Sequence, residues 1–335
     1  MSKQKTLINL GAGFSQLPLI KKAKKKFNLI IVDKNTNSPA KKYASEFINE
    51  SVEDSKKIIK KIKNLQISKK NIAGIINRCS GNSILTMTIL QKYLLQDHSN
   101  LYLIKKLLDK NKFVSMCGKK NILIPATYNL NNLKNKIKFP VIIKPSKASI
   151  GKTGIFIAKN LKELKKKLVL SRKFSQDKKV IIQKFINGKD IVVIGAVKKK
   201  KFYLLGVIDE INKIQNNSIK RHCFKYPSKN INEVDRLKII NITKNIIKKL
   251  KIDNTPINLS FRINNENIYL IEINLEISGE LIHEKLFKTK DNVFSSFDWY
   301  LNLFFDKKKF RTPNLKKNKI LITDNIIKKF YAKSI

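Results

Sequence analysis

Short apolar runs alternate with helical patterns at the start of the chain. A run at 6–10, TLINL, predicts a buried strand, and LIIVD, which ends at Asp33, predicts the next. Gly11 and Gly13 follow the first run and predict a tight turn, after which apolar residues recur at the spacing of a helix. We therefore expect a strand, turn, helix and strand in this order.

A second unit of the same kind follows. We expect a helix from Asp54 to Leu65, a strand from Ile72 to Ile76, and a further helix that ends at Leu95. Strands that alternate with helices predict a parallel sheet. The predicted fold class at residues 1–100 is therefore α/β and Rossmann-like.

The rest of the chain predicts α+β structure. A helical stretch from 101 to 123 ends before Pro125, and two strands follow, Phe139 to Lys144 and Gly154 to Ala158. The remaining expected elements are a helix at 161–170, antiparallel strands at 180–197 with a turn at Gly188, a strand at 201–210, a polar loop carrying Arg221 and His222, a helix at 233–250, two antiparallel strands at 256–274, and a helix at 292–304.

The stretch NIYLIEIN combines an apolar strand with oxygen-bearing side chains. Period two puts Glu272 and Asn274 on one face of the strand while Ile273 points into the core. A carboxylate and an amide oxygen side by side suit Mg²⁺, which shares its coordination shell with water and phosphate. The alternative is an acid in an ordinary hairpin.

Four other segments carry candidate chemistry. Lys144 points inward from an apolar strand, and its burial needs an anionic partner. The loop that follows can lay backbone N–H groups over phosphates, although GKT at 151–153 lacks the upstream glycine of a Walker A sequence. Arg78 lies at a strand end beside a helix N-terminus, where it would bind an anionic substrate or cap the surface. The turn at Gly11 either serves only the chain reversal or belongs to an incomplete dinucleotide fingerprint, because Gln16 replaces its third glycine.

The formal net charge of +47 raises the question of nucleic acid binding. Only six of the 71 basic residues are arginines, and the lysines are spread through every helix rather than gathered in one stripe. Nucleic acid is therefore not expected as the main partner. The charge favours anionic substrates and nucleotides by steering.

The cysteine spacing and the apolar content indicate in which cellular compartment we expect the protein. Cys79, Cys117 and Cys223 have no CxxC spacing, which argues against a zinc site and fits a reducing cytosol. No apolar window reaches the roughly 18 residues of a membrane helix, and the N-terminus has no secretory pattern. The 335 residues, 42% of them hydrophobic, suffice for two or three subdomains of a cytoplasmic protein without a membrane partner.

Taken in order, the motifs resemble the ATP-grasp superfamily, in particular the branch of biotin carboxylase and the carbamoyl phosphate synthetase large subunit. The motifs are Lys110 in LLDKNKFV, Lys144 in VIIKPS, a glycine-bearing loop, FINGKD and the closing EIN strand. The resemblance covers nearly the whole chain. It implies a Rossmann-like pre-ATP-grasp domain at 1–100, an ATP-grasp domain at 101–305 with a lid subdomain at about 139–186, and a basic tail at 306–335 that is solvated or forms a small strand at 320–323.

The resemblance also implies a role for each matching residue. Lys110 and Lys144 would hold the nucleotide phosphates under a lid that contains Ser149 and Gly151. Gln183, Lys184, Phe185 and Ile186 would form the adenine hinge, with the Gln183 carbonyl on the adenine amino group. Asp190 would contact ribose, unless it is only a turn acid. Glu272 and Asn274 would hold Mg²⁺. Arg78, Arg221, His222 and Arg262 would serve the acceptor carboxylate, with His222 as a possible general base.

Two positions depart from the family pattern. Ser260 stands where another acidic or amide ligand is usual, and Glu276 stands where arginine is usual. The implied activity is an ATP- and Mg²⁺-dependent ligase that activates a small-molecule carboxylate as an acyl phosphate for attack by an amine or other nucleophile. A homodimer is compatible with this family. The alternative is a catalytically weakened ATP-binding protein with a regulatory or scaffold role.

Overall fold

The protein is described by a computed structural model. The described residues are 4–129, 137–147, 152–215, 218–265, 267–279, 281–287, 294–304, 310–313, 315 and 320–323. Ser149, Gly151 and most of the basic tail lie outside these residues.

A parallel four-stranded sheet occupies the N-terminal part, with the strand order β3, β2, β1, β4. Its strands are β1 (Thr6–Leu10), β2 (Asn28–Asp33), β3 (Glu46–Asn49) and β4 (Ile72–Asn77), and its helices are α1 (Leu17–Lys24), α2 (Ser55–Asn64) and α3 (Asn82–Leu95). The predicted alternation of strands and helices is confirmed. Gly11, at φ +93°, makes the turn after β1, and its amide donates to Val32 O.

The helical stretch expected at 101–123 is two helices, α4 (Leu101–Leu107) and α5 (Lys110–Lys119). Asp109 separates them because its side chain accepts hydrogen bonds from the Asn111 and Lys112 amides, which caps the N-terminus of α5.

A second sheet contains the remaining strands, in the order β13, β12, β9, β10, β11, β7, β6, β8, β5, with β14 paired to β11. These strands are β5 (Thr127–Tyr128), β6 (Val141–Pro145), β7 (Phe156–Ala158), β8 (Val180–Lys184), β9 (Lys189–Lys198), β10 (Lys201–Gln215), β11 (Ser218–Tyr226), β12 (Thr255–Ile263), β13 (Ile268–Asn274) and β14 (Ile320–Thr323). Three helices lie between them, α6 (Leu161–Lys173), α7 (Glu233–Leu250) and α8 (Ser296–Leu301), together with a π-helix at Ile282–Leu286. The small strand at 320–323 is confirmed.

Two expectations for this region were wrong. Arg221 and His222 lie on β11 rather than in a loop, because Ile219, Cys223 and Phe224 bury the strand despite its polar sequence. The strands on either side of Gly188 do not pair with each other. β8 pairs with β5 and β6, whereas β9 pairs with β10 and β12. Residues 185–188 therefore link two parts of the sheet.

Each part of this sheet has one face covered by a helix. Ile239 and Ile247 of α7 pack in the cluster that contains Val193 and Phe261. In the smaller part, Leu164 of α6 packs in a separate cluster with buried apolar residues of β6 and β8. The opposite faces, away from α7 and α6, carry the polar side chains discussed below.

No helix among the described residues is both long enough and apolar enough to cross a membrane.

The core position Phe261 gives a test of this packing. Phe261 is fully buried on the α7 face of β12, so Phe261→Ala should lower the free energy of unfolding by about 3–5 kcal/mol. Ile214→Ala, on β10, is the control: its side chain is 56% exposed and the change should cost less than about 0.5 kcal/mol. Urea unfolding measures both, and similar losses would contradict the assigned core.

Candidate active site

Register places the candidate residues of four strands on a single sheet face. Ser260 lies opposite Glu272, and Arg262 lies opposite Asp190, which in turn lies opposite Glu210. Directly opposed residues of antiparallel strands share a face, and so do residues two apart on one strand. All five side chains therefore project from the face opposite α7. Ile273, next to Glu272, is 3% exposed and points into the core as expected.

Lys110 and Lys144 are brought together because the end of β6 is bonded to the start of α5. The Lys110 amide donates to Ser146 O at 3.1 Å, and Asn111 Nδ2 donates to Ser146 Oγ at 3.1 Å. Ser146 Oγ in turn contacts the capping residue Asp109 at 3.5 Å. The first residue of a helix and the fourth residue of a strand are thus held side by side.

Lys144 is 8% exposed and lies on the face of β6 away from α6. The pKa of its ammonium group is lowered to about 8, mainly by burial and next by the nearby positive charge of Lys110. The carboxylates of Glu272 and Asp190 act in the opposite direction, and Arg262 acts with Lys110. These interactions place four of the predicted site residues around the buried ammonium group of Lys144.

Gln183 is the direct partner of Lys144. Lys144 Nζ donates to Gln183 Oε1 at 3.0 Å, while Gln183 Nε2 donates to Thr127 Oγ1 at 3.2 Å. The carbonyl expected to contact adenine therefore accepts from a lysine. Both ends of the amide are engaged, so the Gln183 side chain fixes the direction of Lys144.

The residues after Gln183 connect β8 to β9 and contact Arg262. The Lys184 amide donates to Ala126 O, and the Phe185 amide donates to Pro140 O. Ile186 is buried and its carbonyl accepts from Arg262 Nη1 at 3.1 Å. The guanidinium group of Arg262 also lies over the Phe185 ring at 5.4 Å, within cation–π distance.

Asp190 and Arg262 form a bidentate ion pair. Arg262 Nε donates to Asp190 Oδ1 at 2.7 Å, and Nη2 donates to Oδ2. Their side chains are only 15% and 14% exposed, so this pair is screened less than a surface ion pair. Asp190 is thus not a simple turn acid, because it lies on β9 and orients Arg262.

A neighbouring network contains residues that the sequence reasoning missed. Lys152 Nζ donates to Glu210 Oε1 at 2.6 Å and to Asn212 Oδ1 at 2.7 Å. Asn212 Nδ2 donates to Asp190 Oδ2 at 2.6 Å, and Arg221 lies 4.0 Å from Glu210. The sequence does carry a signal for this network. Glu210, Ile211 and Asn212 repeat the tripeptide EIN that carries the candidate metal ligands on β13.

Glu272 and Asn274 fit a magnesium ion that is shared with phosphate. The Glu272 side chain is exposed and Asn274 is half-buried. Their oxygens are therefore accessible on the sheet face that also carries Asp190 and Arg262. Ser260, across from Glu272, adds a hydroxyl rather than a carboxylate. Within the described ranges, three or more His, Cys, Asp or Glu side chains nowhere gather as a metal cluster. An ion here would need phosphate and water oxygens, as Mg²⁺ commonly does.

Arg78 is held by the π-helix and is not among the residues that act on Lys144. Its side chain is buried and forms a bidentate pair with Glu284, with 2.6 Å from Nη1 to Oε1 and 2.8 Å from Nη2 to Oε2. Arg78 therefore contacts protein groups rather than an open ligand site.

His222 occupies a bulge of β11, because Ile211 pairs with Cys223 and the next residue, Asn212, pairs with Arg221. A bulge turns a side chain out of the regular alternation.

A cavity of about 1290 Å³ lies on the α7 side of the sheet and contains none of the predicted site residues. Its lining is rich in asparagine, includes Asn187, Gly188 and Lys189 directly after the hinge, and is completed by α7 and the β12–β13 turn. The convergence of charged groups, rather than the volume of this cavity, identifies the candidate active site.

The family model described as the carbamoyl-phosphate synthase L chain, ATP binding domain, matches residues 110–282, which is more than half of the chain. The chain belongs to this ATP-grasp family. The match begins at Lys110 and includes Lys144, the hinge and the EIN strand. No curated protein sequence matches the chain.

Solved ATP-grasp structures share the fold at low identity. Phosphoribosylglycinamide synthetase from Anaerococcus prevotii is 19% identical, with a TM-score of 0.70 over 95% of this chain and 80% of that one. L-amino acid ligase from Bacillus licheniformis is 13% identical, with a TM-score of 0.72 over 91% and 75%. Biotin carboxylase from Campylobacter jejuni is 15% identical, with a TM-score of 0.72 over 94% and 74%.

The lowered pKa of Lys144 predicts a pH-dependent stability. Between pH 8 and 10.5 the unfolded chain keeps the Lys144 proton while the folded protein releases it, so the free energy of unfolding should rise with pH in this window. Lys144→Met removes this effect and should stabilise the protein at pH 7, on the order of 3 kcal/mol, with the gain vanishing near pH 10.5. Urea unfolding of both proteins from pH 7 to 10.5 measures the difference, and a difference that does not vary with pH would contradict the assignment.

Proposed function

We propose that this protein is an ATP- and Mg²⁺-dependent ligase that joins a small-molecule carboxylate to an amine or related nucleophile. The observation that carries the proposal is the convergence of Lys110, Lys144, Glu272, Asp190 and Arg262 around one face of the sheet. Two buried or half-buried cations beside an exposed carboxylate suit a nucleotide triphosphate with a divalent cation. The solved structures that share the fold include ligases and complexes with ADP.

Each residue has a role in this proposal. Lys110 and Lys144 bind the phosphates, and the bond to Gln183 keeps Lys144 directed at them. Phe185 and Ile186 lie beside the adenine, and the Asp190–Arg262 pair orients this hinge. Arg221, next to the Glu210 network, is the arginine that we assign to the acceptor carboxylate. His222 is the candidate base, because the bulge turns it out of the strand pattern.

Glu272 and Asn274 would hold the magnesium ion. When bound, Mg²⁺ neutralises the charge that spreads over the transferring phosphoryl group. The lysines of this chain contribute the same kind of stabilisation through donors that are already in place. Ser260 leaves the metal side of the site with one carboxylate fewer than a Glu at this position would give.

We also assign the parts of the fold. Residues 1–100, with the parallel sheet, form the Rossmann-like pre-ATP-grasp domain, and residues 101–305 form the ATP-grasp domain. The lid subdomain at about 139–186 contains β6, β7, α6 and β8, which pack around their own small core. The three free cysteines suit a cytoplasmic protein.

Replacing Lys144 tests the nucleotide site. Lys144→Ala should weaken ATP binding by at least about tenfold at pH 7, because a buried charged donor to phosphate is lost. In the wild type, ATP affinity should fall as the pH rises above 8 and Lys144 loses its proton. Calorimetric titration measures both effects.

Lys167→Ala is the matched control for this experiment. Lys167 is also 8% exposed and belongs to the same lid, but it lies on α6 and pairs with Glu163 at 2.7 Å. Its replacement should leave ATP affinity within about twofold. Equal loss in both variants, or no loss in Lys144→Ala, would contradict the site.

Turnover tests the ligase itself. ADP formation from ATP and Mg²⁺ should require both a carboxylate and an amine from the supplied pools. Glu272→Gln should reduce this rate by about a hundredfold, because a charged metal ligand is lost while the strand is kept. ATP binding without turnover across all pools would instead indicate a weakened nucleotide-binding protein.

A further inference from the structure

Arg78 joins three segments that are distant in the sequence. It follows the carboxyl end of β4 and donates to Ser15 O in the glycine turn after β1. Its Nε donates to Ser278 O at 3.0 Å, and its two terminal nitrogens donate to the carboxylate of Glu284 on the π-helix. The Arg78 side chain has no exposed surface and that of Glu284 is 8% exposed. A buried bidentate pair of this kind fixes direction as well as distance.

A series of hydrogen bonds runs from Arg78 to the end of β13, the strand that carries the candidate metal ligands. Ser278, held through its carbonyl, donates its Oγ to Asn258 Oδ1 at 2.8 Å. Asn258 Nδ2 donates to Glu276 O at 2.7 Å. Both ends of the Asn258 amide are therefore engaged, and this side chain is 6% exposed. Asn258 lies directly opposite Asn274.

The same bonds decide where the chain goes when it leaves the sheet. β13 ends at Asn274, and the following residues Leu275 and Ile277 are buried in two different clusters. Between them and the π-helix, the backbone is held at Glu276 by Asn258 and at Ser278 by Arg78. The backbone that follows Asn274 is thus anchored to the residue that comes directly after β4 of the N-terminal sheet.

We infer that Arg78 is a positioning residue for the metal site, acting through Ser278 and Asn258 on Asn274 and Glu272. This inference rests on the proposed function. It gives the N-terminal sheet a part in nucleotide chemistry although the proposed function assigns none of its side chains to the phosphates. It also reassigns Arg78 from substrate binding to positioning.

The test measures metal binding separately from nucleotide binding. The probe is Mn²⁺ in the presence of ADP, followed by electron paramagnetic resonance, with ADP affinity measured without metal by calorimetry. Arg78→Lys keeps the charge but loses the fork, and Ser278→Ala cuts the hydrogen-bond chain while leaving the ion pair intact. Both should weaken Mn²⁺ binding about tenfold, the low end for groups outside the first coordination shell. ADP affinity without metal should change less than about twofold in both.

Asp298→Asn is the control. Asp298 pairs with Lys26 at 2.5 Å and also links the N-terminal part to a late helix. It takes part in none of the hydrogen bonds that connect Arg78, Ser278 and Asn258. It should leave both affinities unchanged. Folding is checked by circular dichroism, and Ser278→Ala decides the matter if Arg78→Lys does not fold.

The outcomes separate the two proposals. Mn²⁺ affinity within about twofold of the wild type in the folded variants would overturn the role of Arg78 and leave the proposed function standing. A wild-type protein that binds no ADP, with or without metal, would overturn the proposed function and this inference with it.

Discussion

The positive charge buried at Lys144 is the constraint to which the rest of the site responds. An ammonium group that is 8% exposed is costly unless polar groups surround it. Among the described residues, Gln183 supplies the one direct hydrogen bond to the Lys144 side chain. The carboxylates of Asp190 and Glu272 offset part of the cost, while Lys110 adds to it. Two neighbouring cations with so little direct compensation favour an anionic ligand. This is the physical reason for assigning the phosphates of a nucleotide to this position.

The fold satisfies this constraint by joining separate segments at one sheet face. The start of α5 delivers Lys110, β6 delivers Lys144, and the strands β9, β12 and β13 deliver Asp190, Arg262 and Glu272. Each residue stands on a regular element, so its position is set by register and capping rather than by a loop. The Arg78–Glu284 pair extends the same principle to the N-terminal sheet. It anchors the backbone near the point where β13 leaves the second sheet.

Local rules predicted a large part of this arrangement. Period two placed Glu272 and Asn274 together, and the apolar runs gave most strands and helices. The same rule applied to Glu210 and Asn212 would have found the second EIN tripeptide. The Asp190–Arg262 pair depends on the pairing of strands whose residues lie 72 positions apart, and the Arg78 pair on 206 positions, so neither follows from local pattern. β11 was mistaken for a loop because, of its side chains that the structure describes, only three are deeply buried.

The most direct measurement is a crystal structure of the protein with ADP and Mg²⁺. The expected result is that the phosphates lie within hydrogen-bonding distance of Nζ of Lys110 and Lys144, with the metal on Glu272 and Asn274 and the adenine beside Phe185. A nucleotide in the asparagine-lined cavity on the α7 side of the sheet, which Asn187 and Lys189 border, would contradict the assignment.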